Sequence, residues 1–482
     1  MATNSGEFVL PYLAPARYRV VVEWKGRELT APGDYQLPQP TPAKLTFAGG
    51  DNLTVTFLDA KLASGGEDLA ARAVSSIPLN KRDFGQLLLL AAGTMTDTNG
   101  ATNFTAQFAV NGQRGVEAVF AMDGADSSDP EMGGAAFSNF NVDAVSEIQS
   151  SSGWMPAEIG RGAAGFSNIL TRSGSDTPHG SLFEFVRNSA FDARNFFDKQ
   201  SAVNPGRIPP FRRNEFGLTL GGPVVLPFLY NGHGRTFFYA QYQGFRQVLG
   251  TTQVLPVPTL DERAGRNTTA FPGDTLLVPV DPQIRSVLNR YPLPNEPKGP
   301  FGERTFASSS KVRTDADQFS LRLDHRLSKR DALFARFSAN NLMGPTTNPN
   351  QTVIDPSFGI QYSDHQRNGV LTWTRTSPDF TNEVSLSVTR TTPNFPTANR
   401  TDPAITFSDG LYEPFNAAGG TVTTSLANLF QGRETLVWNH KRHTVKAGGE
   451  FRANRDTSYF GTTPNGAFTF GGGTSYATSG IR

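Results

Sequence analysis

Three aspartates at three-residue intervals are the first candidates for chemistry: Asp123, Asp126 and Asp129 in the segment DGADSSDPE. Carboxylates bind Ca²⁺, but a calcium loop needs oxygen ligands at alternate positions, a glycine at the sixth and a distal glutamate. The spacing here does not meet that pattern, so the sequence favours a turn followed by an apical loop. Asp123-Gly124 is a strong turn dipeptide, and we predict a turn there and no metal site.

Histidines offer the other possible metal ligands, and His440 and His443 lie close together in HKRH. On a single strand their odd separation would put them on opposite faces, so the pattern favours a hairpin turn between them over a metal pair. The chain has 0 Cys, which excludes thiolate metal sites. The sequence also lacks G-x-S-x-G, H-E-x-x-H, Walker A and Rossmann motifs. We therefore predict no catalytic residue and no cofactor, and the protein is not expected to be an enzyme.

Composition narrows the class of fold. Lys and Arg total 44 against 43 Asp and Glu, and this balance argues against a nucleic-acid partner, which requires a clustered basic excess. The chain has 48 Gly, 33 Pro and 37 Phe, a composition typical of β proteins with frequent reversals. It has no apolar run of about 18 residues that would predict a membrane-spanning helix. A mean hydropathy of −0.35 still permits a membrane barrel, because barrel strands alternate apolar and polar residues.

Alternating apolar and polar residues dominate the chain from Gly180 onward. In QFSLRLDHRL, for example, Leu321 and Leu323 point one way and Arg322 the other. Charged residues recur mid-strand on the inner face, where a dry sandwich core could not hold them but a watery or plugged lumen could. The alternation predicts about ten strands, near 180–188, 214–222, 235–247, 316–327, 331–341, 367–376, 381–391, 434–440, 442–454 and 466–471.

The links between these strands alternate in length, as expected of a barrel with short periplasmic turns and long outer loops. The Pro-rich segment 248–315 is too long for an ordinary connection, so we predict an ordered extracellular flap there. The aromatic segment TFFYAQY is predicted to contribute to the girdle at the lipid interface, with stacking on sugars or bases as the alternative. Its aromatic residues are Phe237, Phe238, Tyr239 and Tyr242.

A family resemblance rests on motifs in a fixed order. They are LAARAVSSIPLNKRDF, NGQRGVEAVFAMDG, VDAVSEIQ, AEIGRGAAGFSNILTRSGSDTPHGSLFEFVRN, PPFRRNEFGLTLGGPV and RTFFYAQYQGFRQ. This series closely resembles TonB-dependent outer-membrane receptors of the Oar-like type, which have a carboxypeptidase-regulatory-like N-terminal domain. The resemblance runs from about Gly6 to the end of the chain and is most specific between Leu69 and Gln247.

The resemblance implies a mainly β architecture with three parts. Residues 1–62 would be the remnant of a carboxypeptidase-regulatory-like β-sandwich, 63–178 an α+β plug domain, and 179–482 the N-terminal part of an antiparallel transmembrane β-barrel with long extracellular loops. The plug would contain the turn at Asp123 and Gly124 and meet the barrel at His179 and Gly180. About ten of 22 barrel strands would be present, and we expect a signal peptide and further strands in the full-length protein.

The resemblance also implies a function, namely energised uptake of a large solute across the outer membrane of a Gram-negative bacterium, gated by the plug. The partners would be outer-membrane lipid, the solute and the TonB protein of the inner-membrane complex. The solute could be a siderophore, an oligosaccharide or a peptide. The alternative is a surface-exposed β-rich adhesin or scaffold without transport. Candidate solute contacts lie in the apical loop of the plug, at Asp126, Asp129, Phe137, Asn139 and Phe140.

Overall fold

A computed structural model gives the fold. It describes residues 16–24, 27–31, 35–37, 43–47, 53–57, 67–70, 93–96, 108–110, 112–113, 117–131, 141–152, 157–162, 165–193, 208–266, 280–344, 350–407, 410–440 and 443–470. Strands make up most of these residues, which confirms the mainly β class. Within the described segments, no helix has the length and apolar character needed to cross a membrane.

The N-terminal residues form short strands that pair mostly as hairpins. The strands are β1 (Ala16–Tyr18), β2 (Val21–Trp24), β3 (Arg27–Thr30), β4 (Tyr35–Leu37), β5 (Ala43–Phe47), β6 (Leu53–Phe57), β7 (Glu67–Ala70), β8 (Thr94–Thr96) and β9 (Phe108–Val110). Antiparallel pairs join β1 to β4, β2 to β3, β5 to β6 and β8 to β9. The alternation of Tyr18, Val20 and Val22 predicts a single strand, whereas the structure divides this run between β1 and β2. Residues 78–92, in which Pro78 and the leucines behind it predict a short packed helix, lie outside the described residues.

A five-stranded sheet, called here the small sheet, follows. It combines β7 with β10 (Ala118–Met122), β11 (Ala125–Asp126), β12 (Val145–Ser152) and β13 (Gly165–Thr171) in the order β11-β10-β13-β12-β7. The pair β10–β13 is parallel and the other pairs are antiparallel. The apolar run AVFAM makes β10 a strand buried along its whole length, as expected for a strand covered on both faces.

The second half of the described chain contains the long strands of the protein together with several short ones. They are β14 (His179–Asn188), β15 (Phe211–Pro223), β16 (Val225–Leu226), β17 (Tyr230–Asn231), β18 (Thr236–Pro256), β19 (Thr305–Arg326), β20 (Asp331–Met343), β21 (Ser363–Thr376), β22 (Phe380–Thr391), β23 (Asn394–Pro396), β24 (Ala404–Phe407), β25 (Val422–His440), β26 (His443–Gly461) and β27 (Ala467–Phe470). Ten of them form the large sheet, in the order β14-β15-β18-β19-β20-β21-β22-β25, with β26 and the short β23 both pairing with β25. The long strands pair antiparallel with their neighbours, as predicted for a barrel wall.

One predicted barrel strand is wrong. Within the predicted segment 466–471, residues 467–470 form β27, which pairs in parallel with β24 in a separate two-stranded sheet. Four residues cannot cross a bilayer, which needs about 9–11 strand residues, and alternation over so short a run does not identify the partner strand. The other predicted strands all belong to the large sheet, and β18 and β19 extend to 21 and 22 residues. The loop between these two strands is therefore 257–304 rather than 248–315.

The large sheet has its polar residues on the covered face, here called the inward face. Ser338, Asn340 and Asn368 on that face are all 0% exposed, whereas the apolar Phe337 and Leu386 on the outward face are 48% and 57% exposed. A water-soluble sheet would show the opposite distribution. The predicted assignment of inner and outer residues along these strands is confirmed.

The long loops at one end of the large sheet pack against one another. They contain three short helices, α1 (Leu260–Arg263), α2 (Pro282–Arg290) and α3 (Gln351–Ile354). They also contribute to a shared apolar cluster, the loop core, made of Leu255, Val257, Tyr291, Ile354, Phe358, Ile405 and Phe415. The Arg290 guanidinium lies 4.8 Å from the ring centroid of Phe358 and 4.9 Å from that of Phe415. Cation–π contacts thus connect α2 to two other loops.

Candidate functional site between the two sheets

A tight hairpin carries the central side chain of the contact between the two sheets. Asp123 and Gly124 join β10 to β11, with φ values of 51° and 76°. Positive φ at both central residues defines a type I′ turn, which Asp-Gly adopts with little strain. The predicted turn is confirmed. It brings the Asp123 carboxylate to the inward face of the large sheet.

The Asp123 carboxylate, 3% exposed, binds two arginines of the large sheet. Arg336 Nε donates to Asp123 Oδ2 at 2.6 Å, and Arg322 NH1 donates to Oδ1 at 3.2 Å. Within the small sheet, the backbone amide and the hydroxyl of Thr171 each donate to the same carboxylate at 2.8 Å. One carboxylate therefore joins both sheets of the contact.

Arg336 is the most deeply buried cation of the contact, with a side chain 0% exposed. Its NH1 donates to Ser338 Oγ at 2.8 Å, and its NH2 donates to Met122 O at 2.9 Å and Asn368 Oδ1 at 2.6 Å. A buried guanidinium is tolerable only when a counter-ion and hydrogen-bond acceptors surround it. Arg336 thus depends on the small sheet for its carboxylate partner, Asp123.

Asp126, at the end of β11, makes a second ionic contact and is also 3% exposed. Arg452 NH1 on β26 donates to Asp126 Oδ2 at 2.6 Å, and Arg161 Nε donates to the same oxygen at 3.0 Å. Backbone groups of Asp126 add two bonds across the contact, since its amide donates to Gln431 Oε1 at 3.1 Å and its carbonyl accepts from Thr389 Oγ1 at 2.6 Å.

Weaker polar contacts surround these two aspartates. Ser458 Oγ donates to Glu131 Oε1 at 2.6 Å, and Lys446 forms an ion pair with Glu158. Burial opposes ionisation of Glu158, but the hydrogen bond and charge of Lys446, a backbone hydrogen bond and the charge of Arg433 together outweigh burial and lower the pKa of the Glu158 carboxyl. Opposite charges therefore match at the edge of the contact as well as at its centre.

The aromatic segment of β18 divides between the two faces. Phe237 and Tyr239 are 8% and 4% exposed on the inward face, and the Tyr239 hydroxyl donates to Asp143 O at 3.1 Å. The girdle prediction is wrong for these two residues, because strand alternation directs them to the small sheet. On the outward face, the Tyr242 hydroxyl donates to Asp317 Oδ1 at 2.6 Å.

The predicted solute-contact residues do not come together as a described site. Asp126 is buried between the sheets rather than exposed on an apical loop, because both of its carboxylate oxygens accept hydrogen bonds from protein donors. Asp129 is half-buried and accepts a hydrogen bond from the Glu131 amide at 2.9 Å. Phe137, Asn139 and Phe140 lie outside the described residues.

The other predicted positions lie at the end of the large sheet where short turns join the strands. His179 and Gly180 are the first residues of β14, so the large sheet begins at the predicted junction. At Gly180, an added Cβ would be 2.3 Å from Thr219 O, so close backbone approach requires glycine there. His440 and His443 face each other across the turn between β25 and β26, as predicted.

Together, the fold and the contact define a class of protein: a β-barrel wall with apolar residues outside and a folded domain bound to its polar inner face. This is the arrangement of an outer-membrane barrel. Residues 170–480 match the family model "Outer membrane beta barrel domain", and the chain belongs to this family. It is thus an outer-membrane protein of Gram-negative type.

Individual relatives agree with that assignment. The chain is 30% identical over 166 residues to the TonB-dependent transporter Oar of Myxococcus xanthus, which covers 34% of this chain and 15% of Oar. Its fold is similar to that of the outer membrane transporter YddB from Escherichia coli (TM-score 0.51, 10% identity, 82% of this chain and 48% of YddB). It is similar also to the ferric enterobactin receptor PfeA from Pseudomonas aeruginosa (TM-score 0.50, 15% identity, 82% of this chain and 49% of PfeA). The chain thus spans about half the length of these solved structures. These relatives are transporters and receptors rather than enzymes.

Proposed function

We propose that this chain is part of a TonB-dependent receptor that takes up a large solute across the outer membrane. In this proposal the small sheet is the core of a plug, residues 63–178 form the plug domain, and residues 179–482 form the first part of the barrel. Residues 1–62 would be the remaining part of an N-terminal accessory domain. The similarity to the TonB-dependent transporter Oar supports the energy source, and the polar contact between the two sheets supports the plug.

The observation that carries the proposal is the double attachment of the β10–β11 hairpin to the large sheet. Asp123 binds Arg322 and Arg336, and Asp126 binds Arg452. Removing one partner from a buried ion pair costs about 3–5 kcal/mol, because the other charge stays buried without compensation. Spontaneous release of the hairpin is therefore rare, and transport requires an external source of work.

Force delivered through TonB would supply that work. Pulling on the plug would separate the aspartates from their arginines, and water entering the contact would then solvate both sets of charges. The ion pairs reform once the force is removed, because both aspartates stay on the same tight β10–β11 hairpin. The contact is thus suited to a gate that stays closed at rest and resets after each opening.

Uptake measurements with the full-length receptor test this proposal. Candidate siderophores, oligosaccharides and peptides are first screened for growth support, and uptake of the active solute is then compared in cells with and without TonB. Uptake that requires TonB supports the proposal. Equal uptake in both strains would instead indicate a passive pore, and surface binding of ligands without uptake of any solute would indicate an adhesin or scaffold.

A further inference from the structure

One turn at the periplasmic end of the large sheet differs from its neighbours. The strands β19 and β20, β21 and β22, and β25 and β26 follow each other closely, as expected at the periplasmic end of a barrel. Between β15 and β18, however, residues 224–235 form a separate hairpin from β16 and β17, here called the turn hairpin. Its tip is closed by a hydrogen bond of 3.0 Å from the Leu229 amide to Leu226 O.

The tip of the turn hairpin is apolar and exposed. Val225 and Leu226 are 47% and 51% exposed, and Phe228 and Leu229 reach 109% and 85%. Phe228 has a φ of 65°, in a turn that follows a proline and in which glycine is the favoured residue. The chain therefore accepts backbone strain at a position where it presents a whole phenyl ring.

The turn hairpin is held firmly by its base. The Gly234 amide donates to Asp176 Oδ1 at 2.6 Å. The Arg326 amide donates to Arg235 O at 2.8 Å, and Arg235 Nε donates to Arg326 O at 3.1 Å. These bonds join the hairpin both to the segment before β14 and to the end of β19. The exposed tip is thus a fixed projection rather than a loose loop.

Basic side chains predominate around the base. Arg235 lies on the hairpin, Arg326 ends β19, and Lys329 and Arg330 lie on the turn that follows, with Asp176 before β14 and Asp331 at the start of β20 as the acids. Clustered Lys and Arg beside an apolar anchor are the pattern that binds an anionic lipid surface. The apolar tip matches the acyl-chain layer of a membrane, and the basic residues at the base match the layer of acidic headgroups.

Further exposed apolar residues lie on the strand before the turn hairpin and on the adjacent turn. Leu218 and Leu220 on the outward face of β15 are 43% and 48% exposed, and Leu327 on the adjacent turn is 46% exposed. We propose that the turn hairpin inserts Phe228 and Leu229 into the periplasmic leaflet of the outer membrane, with its basic residues on acidic phospholipid headgroups. It would fix the height of the barrel in the bilayer independently of transport.

Site-directed spin labelling tests this proposal, and the absence of Cys from the chain permits single labels. Phe228→Cys and Leu229→Cys are labelled in the full-length receptor, which is reconstituted in vesicles of phosphatidylethanolamine and phosphatidylglycerol. Pro378→Cys, exposed in the turn between β21 and β22, is the matched control on the same end of the barrel. Collision of each label with oxygen, which partitions into lipid, is compared with collision with a water-soluble nickel chelate.

Insertion predicts that labels at 228 and 229 collide strongly with oxygen and several-fold less with the nickel chelate than the label at 378. Replacing phosphatidylglycerol with phosphatidylcholine should make both labels shallower, because the basic base loses its anionic partners. Nickel accessibility equal to that at 378 would overturn the proposal, since the tip would then lie in water. Immobilised labels shielded from both reagents would also overturn it, because they would indicate a protein partner.

Discussion

The change Asp123→Asn removes the charge that holds Arg336 and Arg322 while keeping the shape of the turn. Asn tolerates the positive φ of 51° observed at this position. Arg322 keeps a second carboxylate, because its NH2 donates to Asp324 Oδ1 at 2.8 Å. Arg336, with a side chain 0% exposed, loses its carboxylate contact. The cost of the substitution therefore falls mainly on one buried guanidinium.

An uncompensated buried charge of this kind costs about 3–5 kcal/mol, which raises the equilibrium constant for opening by roughly 10² to 5 × 10³-fold. Native-state hydrogen exchange of the full-length receptor measures this equilibrium directly. Exchange should accelerate at the amides of Met122 and Thr171, the residues on either side of the ion pair. Asp281→Asn serves as the control, because Asn caps helix α2 as well as Asp does. Hydrogen exchange of the small-sheet amides should not change in this variant.

A double-mutant cycle separates loss of the ion pair from other effects. Arg336→Gln removes the buried cation, so Asp123→Asn with Arg336→Gln should destabilise less than the sum of the two single changes. Additive effects, or exchange of the Asp123→Asn receptor at the original rate, would refute the role given to this contact.

Three further perturbations test other parts of the structure. Leu321→Arg places a charge on the outward face at a cost of about 2–4 kcal/mol near the bilayer midplane, so this variant should fail to assemble in the outer membrane, whereas the control Leu321→Ile should assemble. Normal heat-modifiability of the arginine variant on gels would contradict the assignment of Leu321 to the lipid-facing side. Arg290→Gln removes the cation–π contacts with Phe358 and Phe415 and should lower the stability of the loop core by about 1–2 kcal/mol. Proteolysis within 257–304 should become faster, and an unchanged rate of proteolysis would contradict this prediction. Burial raises the pKa of the Glu413 carboxyl, whose Oε1 accepts a hydrogen bond from Gln351 Nε2 at 2.9 Å. The stabilising contribution of the protonated carboxyl is therefore present at low pH and lost as pH rises through that raised pKa. In Glu413→Gln, hydrogen exchange of the loops should no longer show this loss of stability with rising pH, and an unchanged pH profile would contradict the prediction.

Sequence alone could predict the facing of the membrane strands. Leu321 and Arg322 alternate because lipid lies on one side of β19 and a polar domain on the other, and this difference leaves a strong period of two. The same reasoning cannot find the ends of the strands. Thr251 and Ser310 still pair across β18 and β19, but a strand of 22 residues rises roughly 70 Å, far beyond the bilayer. Beyond the membrane both faces of these strands contact water, so apolar and polar residues no longer alternate along them.

The sequence alone also could not predict which side chains pair across the contact between the two sheets. Alternation predicts that Arg336 and Arg452 face inward, but it does not say which carboxylate each one meets. Asp123 and Arg336 are 213 residues apart, and only the closing of the small sheet against the wall brings them together. The spacing of Asp123, Asp126 and Asp129 predicts the turn but not the contact between the two sheets. Asp123 and Asp126 are counter-ions of arginines in the barrel wall, and spacing along the chain does not reveal such distant partners.

A reversible cross-link between the two sheets tests the gate most directly. Glu131 follows β11 and accepts a hydrogen bond from Ser458 on β26 at 2.6 Å, and both residues are exposed to reagent. In the receptor with Glu131→Cys and Ser458→Cys, a short bis-methanethiosulfonate reagent forms one disulfide with each introduced thiol and releases methanesulfinate, and a reductant cleaves the link. Each single-Cys variant treated alike is the control. We predict that the cross-linked receptor binds its solute but takes up none until the link is cleaved. Uptake at the uncross-linked rate would contradict a plug that must move.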